Sequence, residues 1–293
     1  MTNSDTHVTW REMVKRTHAE VSERTVAQWL CEHASGCDAS EFSNILDELV
    51  SERSAQHLHN MLARYATGEP LQYVMGRWAF RRLDLLVDSR VLIPRPETEL
   101  LVEHVTRYAL QRIRDVGRGV AIVDLGTGSG AVGLSLLYEL PFESAEVWMT
   151  DVSEDALHVA RANAAGVGRN AVGARFAHGS WYQALPEDLR GSLDVIVSNP
   201  PYIATGDPLV GDSVLKWEPH NALFAGTDGL NDLRIVVADA SDWLVPGGLL
   251  AVEMGFTQAA VVSQLFESSG FKNVSVHKDL AGLDRFVTGT APC

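Results

Sequence analysis

The chain has 293 residues, 46% hydrophobic and 21% charged, with 24 Lys and Arg against 38 Asp and Glu for a net charge of -14. That length suits one large and one small domain with apolar material enough for a true core, and the acidic balance argues against a general grip on nucleic acid. Cys31, Cys37 and Cys293 make no disulfide framework, Cys31 and Cys37 with His33 lack a fourth ligand at a usual zinc spacing, and neither a signal core in Met1–Arg11 nor a run of ~18 uninterrupted apolar residues is present, so the expectation is a cytoplasmic, reduced protein without a metal or a membrane span.

In chain order, apolar residues three and four apart predict helices over Val21–Cys31, Glu41–Val50 and Ala55–Tyr65, with Asp38 or Ser40 capping the second and Ser51 the third. These make a small helical bundle. Leu71–Val74, Trp78–Phe80 and Leu83–Val87 are aromatic and branched, with Gly68 and Gly76 between, and predict a short hairpin or extended linker. Pro96 suits the first turn of a helix, with Glu97 and Glu99 favourable at its N-terminus, running through Leu101 and Val105 toward Leu110. For Arg95, Glu97 and Glu99 the plain alternative is helix capping plus a surface ion pair.

From Gly119 strands and helices alternate. Strands are predicted at Val120–Asp124, Ala145–Met149, Val172–Phe176, Leu193–Val197, Leu249–Glu253 and, as the final one, Val274–His277. Helices are predicted at Ala131–Tyr138, Ser153–Ala165, Asn231–Leu244 and Thr257–Ser268. The alternation implies an α/β fold with a parallel, doubly wound sheet. The domain reading is therefore a helical bundle over 1–75, a linker or hairpin over 76–95 and a catalytic domain over 96–293.

The first strand ends in Asp124-Leu-Gly-Thr-Gly-Ser-Gly130, and a helix follows at once. Glycines there let the backbone turn sharply and a ligand come close, and the helix start offers free N–H groups. Gly128, Gly130 and Gly133 also satisfy the weak dinucleotide pattern. Asp151, at the end of the second strand, can accept hydrogen bonds from both hydroxyls of a ribose; the plainer alternative is an N-cap for the Ser153–Ala165 helix. Neither motif separates a nicotinamide cofactor from another adenosyl cofactor.

Asn199-Pro200-Pro201-Tyr202 separates them. It follows a buried strand, where open α/β sheets bind ligands. The prolines stiffen the backbone and leave carbonyls without competing donors. Asn199 and the Pro200 carbonyl can hold an NH2 group by both hydrogens, and Tyr202 offers a flat face to a planar amide or base.

This motif resembles the signature of methyltransferases acting on planar nitrogens. Gly68–Gly76, Val91–Glu99, Ser198–Ile203 and Glu218-Pro219 follow in order, and from about Arg64 to Thr288 the chain resembles the release factor glutamine methyltransferases, the PrmC or HemK family. The resemblance implies a Rossmann-like class I S-adenosylmethionine-dependent methyltransferase with a small N-terminal helical bundle. The implied cofactor is S-adenosylmethionine, leaving as S-adenosylhomocysteine, on Gly126, Thr127, Gly128, Ser129, Gly130, Asp151, Trp181 and Asn199. The implied catalytic and amide-binding residues are Asn199, Pro200, Pro201 and Tyr202. The family often has an acidic residue before the tryptophan; this chain has Ser180, which shifts weight to stacking on Trp181, a residue that also suits plain core. Glu253 ends a strand on the ligand side with no role assigned.

The implied reaction methylates the side-chain amide (N5) of the glutamine in the Gly-Gly-Gln loop of peptide-chain release factors, with the N-terminal bundle docking the factor. Residues 1–80 hold seven Lys and Arg against eleven Asp and Glu, which suits a protein partner better than RNA. Rival readings are a glutamine methyltransferase for a ribosomal protein, an adenine-N6 methyltransferase, an NAD-dependent dehydrogenase, and a non-catalytic adaptor that keeps the fold.

Overall fold

The computed structural model describes residues 8–292, which fall into two compact units divided between Gly76 and Arg77. Cys293 and the polar stretch before Val8 lie outside the described residues.

The first unit contains α1 (Trp10–Val21), α2 (Arg24–Ser35), α3 (Ala39–Asn44), α4 (Glu52–Tyr65) and α5 (Leu71–Met75). Its core gathers Trp10, Leu30, Phe42, Leu58 and Met61. Cys31 is part of that core: its thiol donates to Thr17, and burial pushes it up to about 11, so it is an inert packing group.

Three expectations shift. The helix predicted over Val21–Cys31 begins only at Arg24, as α2, because Ser22 adopts the left-handed conformation and ends α1 at Val21. The helix predicted over Glu41–Val50 starts earlier, at an Asp38–Glu41 capping box, and stops at Asn44. Val50 instead gives its N–H to Val8, in a bridge that pairs Thr9 with Leu49. Leu71–Val74, predicted extended, forms α5 because Leu71, Tyr73 and Val74 are all buried, between Pro70 at its start and left-handed Gly76 at its end.

The second unit opens with an antiparallel hairpin, β1 (Arg77–Phe80) and β2 (Leu83–Leu86). There follow α6 (Thr98–Val116), β3 (Val120–Leu125), α7 (Ala131–Glu139), β4 (Ala145–Asp151), α8 (Glu154–Val167), β5 (Ala174–His178) and β6 (Leu193–Ser198). Then come α9 (Asp212–Trp217), α10 (Asn231–Trp243), β7 (Leu244–Glu253), α11 (Ala259–Ser268), β8 (Lys272–Lys278) and β9 (Asp284–Thr290). The last strand was not foreseen.

The seven strands lie in the order β5-β4-β3-β6-β7-β9-β8. The first five are mutually parallel; β9 runs antiparallel between β7 and β8. Alternate residues of β3 feed opposite cores: Ile122 joins Leu101, Val105 and Leu134 on one face, while Val123 joins Leu233, Val237 and Phe266 on the other. All six residues of β6 are buried, as a central parallel strand covered on both faces requires.

The chain winds outward from β3 to β5, returns to β6 and winds the other way. The strand order therefore reverses between β3 and β6, and a crevice opens beyond their carboxyl ends. Asn163 of α8 braces that end. Its side chain accepts from Leu86 N at 2.7 Å and donates to the carbonyls of Leu86 at 3.0 Å and Ser129 at 2.8 Å, tying the hairpin to the glycine loop.

Candidate active site

Two cavities meet beyond the carboxyl ends of β3, β4 and β6. The first, about 260 Å³, is lined by Gly126, Gly128, Asp151, Trp181, Asn199 and Asp232. The second, about 450 Å³, is lined by Arg95, Asn199, Pro200, Tyr202, Leu209 and Arg285. Asn199 borders both.

The first cavity begins with β3. Its penultimate residue, Asp124, is 1% exposed. Its carboxylate accepts from the Thr127 hydroxyl at 2.6 Å and from Gly133 N at 2.9 Å. One of the N–H groups foreseen as free at the start of α7, that of Gly133, is thus taken by the protein's own carboxylate. Burial pushes Asp124 up to about 6, against the pull of these two bonds. Asp151, next along the rim, is also shifted upward by burial.

Asp151 is not the N-cap of α8 that it also suited; it braces the two turns at the rim instead. Oδ1 accepts from Ser153 N at 2.9 Å and Oδ2 from Gly128 N at 2.9 Å, while Ser153 itself caps α8 through Ala156 N. Gly128 has φ +54, and a Cβ built on it would meet nothing within 4 Å, so the loop leaves open space where a ligand can approach its backbone.

Trp181 closes the opposite side. It carries a left-handed φ of 46, uncommon for a bulky residue and typical of strain kept at a functional site. A Cβ built on Gly126 would lie 3.5 Å from its ring, so a larger residue at 126 would crowd the indole. The Asp232 carboxylate accepts a hydrogen bond from Trp181 and is shifted upward by burial.

These residues suit S-adenosylmethionine. The cavity offers the Trp181 ring as an aromatic face for a base and the Asp151 carboxylate for ribose hydroxyls.

The second cavity is built on the turn after β6. Ser198 donates to the Leu125 carbonyl at 2.7 Å, fixing the strand end. Beyond the turn, Ile203 pairs with Phe224, and Gln258 donates to the Tyr202 carbonyl at 3.0 Å. Between these anchors, Asn199 Nδ2 donates to Thr98 Oγ1 at 3.3 Å, Thr98 donates to Glu253 Oε2 at 2.6 Å, and the Tyr202 hydroxyl donates to Glu253 Oε1 at 3.1 Å. Glu253 is 1% exposed. Burial pushes it up to about 7, opposed by the two hydroxyls and by Arg285. Burial and the neighbouring Glu253 charge raise the Tyr202 phenol well above its ordinary range.

The segment before α6 is locked by charge. Glu218, 4% exposed, accepts from Ile93 N at 3.1 Å and from Arg95 at 2.6 Å. Arg95 is therefore bound to a buried carboxylate rather than in a surface pair. Glu99 takes the Arg81 N–H at 3.0 Å; Glu97 stands at the start of α6, its charge facing Glu253.

Among the residues singled out from sequence, Gly126, Gly128, Asp151, Trp181, Asn199 and Pro201 line the first cavity, and Asn199, Pro200 and Tyr202 the second. Thr127, Ser129 and Gly130 line neither; they are buried beneath the loop and hold its shape. Thr98, Asp232 and Arg285 were not singled out. Thr98 lay in a quoted motif. Asp232, an acidic residue in the first turn of a helix that starts on the ligand side, gave the faintest signal.

Residues 10–76 match the family described as PrmC N-terminal domain, and residues 96–216 the one described as Methyltransferase small domain. The release factor glutamine methyltransferase of Xylella fastidiosa is 41% identical over 270 residues, 92% of this chain and 94% of that protein. The release factor glutamine methyltransferase of Burkholderia pseudomallei is 39% identical over 269 residues, 91% of each. Among solved structures, the protein-(glutamine-N5) methyltransferase (release factor-specific) from Alicyclobacillus acidocaldarius is 28% identical, covering 69% of this chain and 95% of that one at a TM-score of 0.41. With relatives this similar along almost its whole length, the chain belongs to the release factor glutamine methyltransferase family.

Proposed function

We propose that this protein transfers the methyl group of S-adenosylmethionine to the side-chain amide nitrogen of the glutamine in the Gly-Gly-Gln loop of peptide-chain release factors. The observation that carries the reading is the placement of Asn199 on the border of both cavities, with Pro200 and Tyr202 beside it. Bound in the first cavity, S-adenosylmethionine supplies a methyl group on a sulfonium centre, open to in-line attack by a nitrogen lone pair.

An amide nitrogen is a weak nucleophile because its lone pair is delocalised into the carbonyl. Its N–H is not acidic enough for prior deprotonation, so orientation is the main resource, and good orientation is worth ~7–11 kcal/mol. No hydrogen bond among the described residues reaches Asn199 Oδ1 or the Pro200 carbonyl. Both are free to accept the two hydrogens of a substrate NH2. They hold the group against rotation and stabilise positive charge as it develops on nitrogen. The Tyr202 ring offers the planar amide a flat surface. The proton leaves after transfer.

The N-terminal unit is the module we assign to docking the body of the release factor. Its mild acidity suits a basic protein surface.

The test is transfer of labelled methyl to a purified release factor, beside the same factor with its loop glutamine changed to Ala. Label on the unaltered factor alone supports both reaction and target. Cofactor binding without label on either factor would overturn the target and bring a ribosomal protein forward. For the cofactor cavity, Trp181→Ala is expected to weaken S-adenosylhomocysteine by roughly 10- to 100-fold, the scale of one base stacked on an aromatic ring. Asp232→Asn, which keeps size but loses the charge that holds the indole, should weaken it by about tenfold or less. Calorimetric titration reads both, and unchanged affinity in Trp181→Ala would remove Trp181 from the cofactor site.

A further inference from the structure

Four groups form one chain: Tyr202 Oη to Glu253 Oε1 at 3.1 Å, Thr98 Oγ1 to Glu253 Oε2 at 2.6 Å, and Asn199 Nδ2 to Thr98 Oγ1 at 3.3 Å. Only the Asn199 and Tyr202 ends line the substrate cavity. Glu253 lies behind them, at the end of β7 and 1% exposed.

An ionised carboxylate can only accept hydrogen bonds, and a hydroxyl has one proton to give. Glu253 therefore accepts the one hydrogen bond that the Thr98 hydroxyl can donate. The Thr98 oxygen is left with lone pairs alone, so it must meet a donor. Asn199 has to turn its NH2 toward Thr98 and its Oδ1 toward the cavity. We propose that Glu253 is a positioning residue for methyl transfer: acting through the Thr98 hydroxyl, it decides which edge of the Asn199 amide faces the substrate.

The polarity matters because a glutamine NH2 is a pair of donors. With Oδ1 outward, donor meets acceptor. With Glu253 neutral and its proton on Oε2, the Thr98 proton is released toward Asn199, the amide turns over, and NH2 faces NH2. The second Glu253 oxygen serves the same end by holding the Tyr202 phenol. One buried charge thus sets two of the groups that border the reacting nitrogen. The charged groups facing it are Glu97 at the start of α6 and Arg285 of β9; Tyr202 is the titratable one. Because the folded carboxyl titrates at about 7, the correct edge is presented above that pH and lost as pH falls through it.

The inference rests on the proposed amide substrate, and its test separates the two. With the full-length protein and labelled S-adenosylmethionine, wild-type kcat for the release factor should rise with pH through a limb near 7. Glu253→Gln, close to Glu in size and uncharged, should lose roughly 100-fold in kcat and lose that limb. Its S-adenosylhomocysteine affinity should stay within about threefold. Thr98→Val should lose a similar factor, Thr98→Ser should keep its activity, and the Glu253→Gln/Thr98→Val double variant should be no worse than either single one.

Near-wild-type kcat in Glu253→Gln and Thr98→Val, or an unchanged acidic limb in Glu253→Gln, overturns the inference. Should Glu253→Gln fail to fold, the Thr98 pair decides: equal rates for Val and Ser overturn it. An activity-free reading covers the case where wild type labels no release factor and the substrate reading itself fails. The Asn199 side-chain NH2 signal in ¹⁵N NMR, identified by its absence from Asn199→Asp, should titrate near pH 7 in wild type and not in Glu253→Gln. A signal that does not move in wild type sinks the inference by itself.

Discussion

Asn199→Ala is expected to lower kcat for release-factor methylation by about 1000-fold, since it removes both a positioning contact and a group that stabilises developing charge. The substitution leaves the neighbouring architecture in place. The turn is held by Ser198 on the Leu125 carbonyl, by the Ile203 pairing with Phe224 and by Gln258 on the Tyr202 carbonyl, none of which passes through the Asn199 side chain. The loss should therefore fall on kcat, with S-adenosylhomocysteine still bound, weakened several-fold because Asn199 also borders the cofactor cavity. Single-turnover transfer beside calorimetric binding distinguishes the cases. Full activity in the variant would show that the Pro200 carbonyl and Tyr202 suffice, and the central role given to Asn199 would be wrong.

Gly229→Ala should damage both stability and activity, although Gly229 touches no substrate. It has φ +71, and a Cβ there would lie 2.4 Å from the Tyr202 carbonyl oxygen and 3.0 Å from Ala204 N. Both are backbone atoms, so rotating a side chain cannot relieve the overlap. The left-handed conformation adds about 1–2 kcal/mol for any residue with a Cβ. A total of ~2–4 kcal/mol is expected, which for a unit of this size is a fall in Tm of about 5–15 °C. The backbone that must yield carries Tyr202, so methyl transfer should fall by roughly 100-fold at temperatures where the variant is still folded. Thermal unfolding and kcat at low temperature read the two effects. An unaltered kcat would mean that the turn relaxes away from the cavity, and the rigidity ascribed to Asn199–Tyr202 would have to be given up.

The reach of sequence reasoning at the site followed the local rigidity of the backbone. Asn199–Tyr202 was legible because a buried strand and two prolines fix its direction within a few residues. Gly126–Gly130 was legible as a turn, but the buried carboxylate beneath it was not: Asp124 takes one N–H of the helix start, that of Gly133. Asp124 had been read as the end of a strand. Thr98 reaches Asn199, and Asp232 the cofactor cavity, through packing between distant segments, 101 positions separating Thr98 from Asn199. No local pattern encodes such a meeting. Trp181 was found by motif, yet its left-handed backbone and its bond to Asp232 were invisible. In the fold, β9 was not foreseen, and Gly289 within it does not break the strand. Here it marks a close approach, since a Cβ would sit 2.7 Å from the Phe266 ring. The helix placed over Glu41–Val50 failed because pairing between Thr9 and Leu49 outweighed a helical pattern that was only locally good.

The insertion of β9 between β7 and β8 also bears on how the sheet is completed during synthesis. Chain order and spatial order disagree there: β8 emerges first but, among the described residues, pairs in the sheet only with β9, and β9 supplies the antiparallel edge of β7 from Leu249 to Glu253. Until residue 290 has emerged, β7 exposes an open, apolar edge, the kind of surface that invites pairing with another chain. Glu253 lies at the end of that edge, opposite Phe286 and beside Arg285. The buried charge that orders the substrate cavity is thus enclosed by a strand made after every other strand of the sheet, and a nascent chain arrested before β9 would carry Asn199, Tyr202 and Glu253 but leave the carboxylate end of β7 uncovered and without Arg285.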